Sequence, residues 1–149
     1  MASHILLVED DEHDLSFTNR ALELCLASNE VQVARDGEEA LCALEQDEKP
    51  SLILLDLKLP KVDGFTVLKR IRATPALEEV PVIVVSGSIL ETDRVRAMLL
   101  GANNYVAKSM DFGDFAQHLS LALSPYASAF SVNGRDNPHV RRANDRRPN

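Results

Sequence analysis

No apolar run in this chain exceeds the length of a strand, which excludes a membrane-spanning helix and with it a membrane partner. Met1-Ala2-Ser3-His4 leads almost at once into the first apolar run and leaves no room for a signal peptide, so a cytoplasmic protein is expected. Cysteine is scarce. Cys25 and Cys42 stand far apart, in no CxxC or metal-like spacing, and read as buried free thiols of a cytosolic protein. His4, His13, His118 and His139 form no metal spacing either, and read as surface or edge packing. No internal repeat is visible. Basic charge is short: 16 Lys and Arg face 23 Asp and Glu, for a net charge of −7. Residues 1–124 hold 11 basic and 21 acidic side chains, whereas 125–149 hold five Arg and two Asp. An acidic body is a poor nucleic-acid binder and suits a metal or a basic partner surface better, so no nucleic-acid partner is expected.

The remaining composition is that of a globular domain. With 149 residues, 45% of them hydrophobic and 26% charged, one domain with a sizeable core is the natural expectation. His4-Ile5-Leu6-Leu7-Val8 reads as a buried strand running into Glu9-Asp10-Asp11-Glu12. Asp14 is a candidate N-cap for a helix to about Ser28, with Leu15, Leu22 and Leu26 at helical spacing. Val31-Gln32-Val33-Ala34 alternates as an edge strand would, and Asp36-Gly37 turns it into a helix with Ala40, Leu41 and Leu44 inside. Leu52-Ile53-Leu54-Leu55-Asp56-Leu57 is an aliphatic run suited to a strand buried on both faces, and it ends on a carboxylate. Asp63-Gly64 opens a third helix with Phe65, Leu68 and Ile71 as its stripe, closed by Thr74-Pro75. Val80–Val85 is the fourth strand and ends at Ser86-Gly87-Ser88; Val95, Met98 and Leu99 mark a fourth helix that stops near Gly101. Asn104–Ala107 is a short fifth strand ending at Lys108. Asp111 caps a last helix with Phe112, Phe115, Leu119 and Ala122 on one face, and Pro125 follows it. Five strands alternating with five helices specify an α/β, doubly wound parallel sheet.

In such a sheet every strand-to-helix junction opens on one edge, where ligands bind. Glu9 and Asp10, Asp56, Ser86 and Lys108 all fall at those junctions. Converging carboxylates repel one another and raise one another's pKa, and a hard divalent cation such as Mg²⁺ relieves this. With Ser86 as a donor and Lys108 as a counter-charge, the cluster has the parts of a phosphoryl-binding site, and Asp56 is then a carboxylate nucleophile able to form an acyl phosphate. Read separately, each residue has a plainer role: an acidic turn at Glu9–Glu12, a strand-ending cap at Asp56, a turn former at Ser86, a surface charge at Lys108. Their coincidence at one sheet edge favours the joint site.

These residues resemble the receiver domain of two-component response regulators. Ile5-Leu6-Leu7-Val8-Glu9-Asp10, Ile53-Leu54-Leu55-Asp56-Leu57 with Pro60 and Asp63-Gly64, Val85-Ser86, and Gly101-Ala102…Tyr105…Lys108 are similar to its motifs, in order, across about residues 4–124. The resemblance implies a flavodoxin-like sheet of strand order 2-1-3-4-5. It implies that Asp56 accepts a phosphoryl group from a histidine kinase's phosphohistidine. Asp10 and Asp56 would ligate Mg²⁺ directly, Glu9 through water, and Lys58 through its backbone carbonyl. Ser86 would be the switch hydroxyl and Tyr105 the switch aromatic, which turns inward as Ser86 moves; an aromatic in a terminal strand is also ordinary core packing. The chain would be no turnover enzyme but a phosphoacceptor with Mg-dependent self-phosphorylation and slow self-dephosphorylation. One position departs from the pattern: the family usually has proline after the lysine, often joined by a cis peptide, and this chain has Ser109. A non-proline cis bond costs roughly 2.5–4 kcal/mol, so either that cost is carried or the loop takes another path.

Leu55-Asp56-Leu57-Lys58-Leu59-Pro60, Ala76-Leu77-Glu78-Glu79-Val80-Pro81 and the Lys108-Ser109 pair are similar to single-domain receivers that partner phytochrome-type kinases, which points to a bacteriophytochrome-type kinase as partner. Residues 125–149 read as a tail or arm rather than an output domain. In it, Tyr126, Phe130 and Val132 are candidates for a dimer arm, and Arg141-Arg142 and Arg146-Arg147 for a solvated basic end. The expected role is a phosphorylation-controlled switch that contacts a downstream protein target or a phosphotransfer protein. Two rivals are weaker. An aspartyl-phosphate phosphohydrolase needs a second Asp two residues after the nucleophile, where Lys58 stands. A pseudo-receiver would lack Asp10, Asp56 or Lys108, and all are present.

Overall fold

The computed structural model describes residues 4–26 and 30–129. Its strands are β1 (His4–Val8), β2 (Glu30–Ala34), β3 (Leu52–Leu55), β4 (Val82–Ser86) and β5 (Asn104–Ala107). They alternate with helices α1 (Glu12–Cys25), α2 (Gly37–Leu44), α3 (Gly64–Ala73), α4 (Glu91–Leu99) and α5 (Phe112–Leu123). A 3-10 turn at Pro75–Leu77 follows α3, and another at Ser124–Ala129 continues α5. All neighbouring strands pair in parallel in the order β2-β1-β3-β4-β5, as the flavodoxin-like expectation required.

The strands split their apolar residues between two cores, because successive side chains point to opposite faces. Leu6, Val8, Ile53, Leu55, Val82 and Val84 pack on one face with Ala40 and Leu44 of α2 and Val67, Leu68 and Ile71 of α3. Ile5, Leu7, Leu52, Leu54, Ile83 and Val85 pack on the other with Leu15 and Leu22 of α1 and Phe115 and Leu119 of α5. Burial on both sides is why β1, β3 and β4 read as unbroken aliphatic runs. β2 closes one edge and alternates in burial.

Several local expectations are corrected. The cap of α1 is Asp11, whose carboxylate accepts from the His13 and Asp14 amides; Asp14 lies inside the first turn. α1 ends at Cys25, and Ser28 lies outside the described residues. Of the fourth helix only Ala97 is buried, while Val95, Met98 and Leu99 are exposed, Leu99 by 81%. Cys42 is exposed, because it sits two residues from Ala40 and so on the opposite side of α2; Cys25 is half-buried. Tyr126, read as a candidate for a dimer arm, packs against the α1–α5 core from the 3-10 turn after α5. Phe130, Val132 and the arginine pairs lie outside the described residues.

Candidate functional site

Each junction at the carboxyl edge of the sheet is fixed by the backbone before any side chain acts. The Glu9 amide donates to the Ala34 carbonyl at 2.9 Å and the Asp56 amide to the Val8 carbonyl at 3.1 Å. These bonds carry the strand pairing one residue beyond β1 and β3 and bring the two carboxyls side by side. The Lys108 amide donates to the Ser86 carbonyl at 2.8 Å and does the same for β4 and β5. Gly64 lets α3 begin against the end of β3: a Cβ there would lie 2.3 Å from the Asp56 carbonyl oxygen and 2.6 Å from Leu57 Cα. That close approach excludes any side chain.

Glu9, Asp10 and Asp56 can each offer a carboxylate oxygen within 4.8 Å of the others. Glu9 and Asp56 are buried, and Asp10 is exposed at the mouth. Lys108 Nζ lies 2.8 Å from Glu9 Oε1, 3.2 Å from Asp56 Oδ2 and 2.8 Å from Asp14 Oδ2. Burial, with the Asp56 charge adding to it, pushes the Glu9 carboxyl up to about 7 against hydrogen bonds from Lys108 and the Asp11 amide. For Lys108, burial acts downward, but the Asp14 and Glu9 carboxylates and the Asp56 charge overcome it and raise the ammonium's pKa. The carboxylates therefore lack enough positive charge for all of them at neutral pH. An all-oxygen donor set with residual negative charge suits a hard divalent cation.

Asp56 Oδ1 accepts from the Lys58 amide at 3.3 Å. Ser86 is fully buried at the end of β4, and its hydroxyl accepts from the Ser88 amide at 3.2 Å. Tyr105 is half-buried, and its hydroxyl donates to the Ser88 carbonyl at 3.0 Å. The ring is thus turned toward the β4–α4 loop, and Ser88 contacts both Ser86 and Tyr105. Ser88 also donates its own hydroxyl to Asp93 Oδ2 at 2.6 Å, which ties the loop to the first turn of α4. No described peptide bond is cis, so the Lys108-Ser109 loop takes the trans path.

Reasoning from the sequence missed two participants, Asp14 and Ser88. Asp14 read as a helix cap, and its partner Lys108 is 94 residues away. Ser88 read as part of a turn; only its place in the fold reveals its hydrogen bonds with Ser86, Tyr105, Asp93 and the Leu90 amide.

Residues 5–120 match the profile of the response regulator receiver domain. The chain belongs to that family. As a receiver it is part of a family in which an aspartate is phosphorylated in two-component signalling. It is 38% identical over 116 residues to the response regulator Rcp1 of Synechocystis sp., an alignment covering 74% of this chain and 79% of Rcp1. The Mn²⁺-bound crystal structure of Rcp1 superimposes with a TM-score of 0.76 at 33% identity, covering 87% of this chain and 98% of that one. The phosphorylated cyanobacterial phytochrome response regulator RcpA also gives 0.76, at 35% identity, covering 89% and 99%. The bacteriophytochrome response regulator RtBRR gives 0.70 at 43% identity, covering 80% and 77%. A divalent-metal form is thus known for a relative of this receiver, and the Glu9, Asp10 and Asp56 cluster of this chain has the matching chemistry. No described helix is long and apolar enough to cross a membrane.

Proposed function

We propose that this receiver takes a phosphoryl group on Asp56 from the phosphohistidine of a bacteriophytochrome-type histidine kinase in the cytoplasm. In this reading an Asp56 carboxylate oxygen attacks phosphorus, the phosphorus–nitrogen bond to the kinase histidine breaks, and an acyl phosphate forms. The observation that carries it is Lys108 Nζ at 3.2 Å from Asp56 Oδ2, beside the Glu9 and Asp10 carboxylates. Asp10 and Asp56 would hold Mg²⁺ directly, Glu9 through water, and Lys58 through its carbonyl. The bound cation would offset the charge of the phosphoryl oxygens. Lys108 would pair with one of those oxygens, and Ser86 would turn its hydroxyl from the Ser88 amide to donate to another. Tyr105 would follow through the same Ser88 loop. The chain would signal by this change of shape to a protein target or a phosphotransfer protein, with self-phosphorylation and slow self-dephosphorylation as its own chemistry. The partner class rests on the names of RcpA and RtBRR, a phytochrome and a bacteriophytochrome response regulator. Residues 1–124 would suffice for the chemistry, with 125–149 as an arm for self-association.

The test is intact-protein mass after incubation with acetyl phosphate, with and without Mg²⁺, beside Asp56→Asn. One phosphoryl adduct that requires both Mg²⁺ and Asp56 is expected. An adduct that persists in Asp56→Asn overturns the assignment of the acceptor, and its absence from the wild type despite bound Mg²⁺ overturns the chemistry.

A further inference from the structure

Lys108 has three carboxylate neighbours, and one of them belongs to no phosphoryl or metal position. Glu9 and Asp56 lie at 2.8 and 3.2 Å within the buried cluster. Asp14 lies at 2.8 Å, on the first turn of α1, with its side chain 40% exposed. It is not there as a cap, since Asp11 fills that role. Its mounting is rigid. One turn further along α1, Phe17 packs edge-on against Phe112 at 5.2 Å and stacks on Phe115 at 5.4 Å, both on α5. Arg20 lies over the Phe112 ring at 4.3 Å. α1 is therefore locked to the helix that follows the Lys108 loop. The backbone of Lys108 is held separately, by its amide on the Ser86 carbonyl.

We infer that Asp14 is a positioning residue for Lys108: a second seat that holds the ammonium on the α1 side and so frees Glu9 and Asp56 for a divalent cation. The inference rests on the reading of the site given above. An ammonium bonded only to Glu9 and Asp56 competes with the cation for the same oxygens. With Asp14 available, Lys108 keeps a charged partner when those oxygens turn away, and the displacement costs less. The same seat keeps the ammonium within reach of a phosphoryl oxygen on Asp56. This arrangement also suits a chain whose Lys108 is followed by Ser109 on a trans peptide, because the side chain is aimed by α1 from outside the loop.

The test is a double-mutant cycle on the full chain: wild type, Asp14→Asn, Lys108→Ala and the pair, with Mg²⁺ affinity read by calorimetry at about 0.15 M salt, where long-range charge effects are screened. Asp14→Asn is expected to weaken Mg²⁺ binding about three- to fivefold when Lys108 is present, and less than twofold when it is Ala. Equal losses in both backgrounds would show that Asp14 acts only through its own charge and would overturn the inference, as would no loss in either. Asp14 is half-exposed and caps nothing, so the variant retains the fold, which the thermal transition checks. Wild-type protein that bound no Mg²⁺ would instead count against the reading of the metal site.

Discussion

A carboxyl group that is 2% exposed and faces a second buried carboxylate keeps its proton longer in the folded chain than in the unfolded one. For Glu9 the native value is about 7 against an ordinary 4.5. Between those pH values the metal-free native state holds more protons than the unfolded state, so stability falls as pH rises through the window and stays lower above it. The loss is on the order of 3 kcal/mol. The carboxyls with lowered values, exposed Asp11, Glu12 and Glu91 and buried Asp36, act in the opposite sense and titrate below this window. Urea unfolding in chelator should therefore give a midpoint that declines between about pH 5 and pH 7.5 in the wild type. Glu9→Gln keeps the shape, removes the titration, and should flatten the decline; an equally steep profile in both proteins would place the proton elsewhere.

The β3–α3 junction shows how an element boundary sets the site. The Gly64 amide donates to the Leu57 carbonyl at 2.8 Å, and a Cβ would sit 2.3 Å from the Asp56 carbonyl oxygen. Backbone cannot yield as a flexible side chain can, so Gly64→Ala must push α3 away from the strand end that carries Asp56. A destabilisation of about 2 kcal/mol or more is expected by chemical denaturation, together with slower phosphoryl uptake. Gly87→Ala is the control, since nothing lies within 4 Å of its Cβ position and it should cost little. Junctions of this kind were legible beforehand: Asp36-Gly37 and Asp63-Gly64 read as helix openings and Asp111 as a cap, and all three aspartates cap their helices. The start of α1 was not. Asp11 and Asp14 are both good caps by local chemistry; Asp11 accepts the cap amides, and Asp14 instead meets the ammonium of Lys108, a partner that no local pattern reveals. Aliphatic runs at β1, β3 and β4, with shorter strand patterns at β2 and β5, made the sheet and the Glu9, Asp10, Asp56, Ser86 and Lys108 cluster readable. Side-chain traffic across the gaps between those residues, as at Ser88, depends on geometry that only the folded chain supplies.

Across the whole molecule the stability is unevenly distributed. β1, β3 and β4 are buried on both faces, and α1 and α5 are locked by Phe17, Phe112 and Phe115. α4 contributes only Ala97 to the core. It is held by Ser88 on Asp93, by Arg96 over the Phe65 ring at 3.9 Å, and by the turn at Gly101, whose φ of 110° favours glycine and whose carbonyl accepts from Arg72 Nε at 2.9 Å. Elements with few buried contacts open at lower free energy than the global transition, and switching segments come from that end of the scale. Amide exchange of the metal-free protein should therefore be fast across Glu91–Leu99 and slow across β1, β3 and β4. The β4–α4 loop links this helix to the site, because Ser88 bonds Ser86, Tyr105 and Asp93 at once. Beryllofluoride with Mg²⁺ mimics the acyl phosphate and, by drawing the Ser86 hydroxyl away from the Ser88 amide, should alter exchange in 86–99 and around Tyr105. β1 and β2 should change little beyond the overall gain from ligand binding. Ser88→Ala keeps the backbone groups but removes the hydroxyl's bonds with Asp93 and the Leu90 amide, and should raise α4 exchange before any phosphoryl mimic is added. If α4 already exchanges only with global unfolding, or if Ser88→Ala leaves it unchanged, the helix is not the weakly held element that the packing indicates.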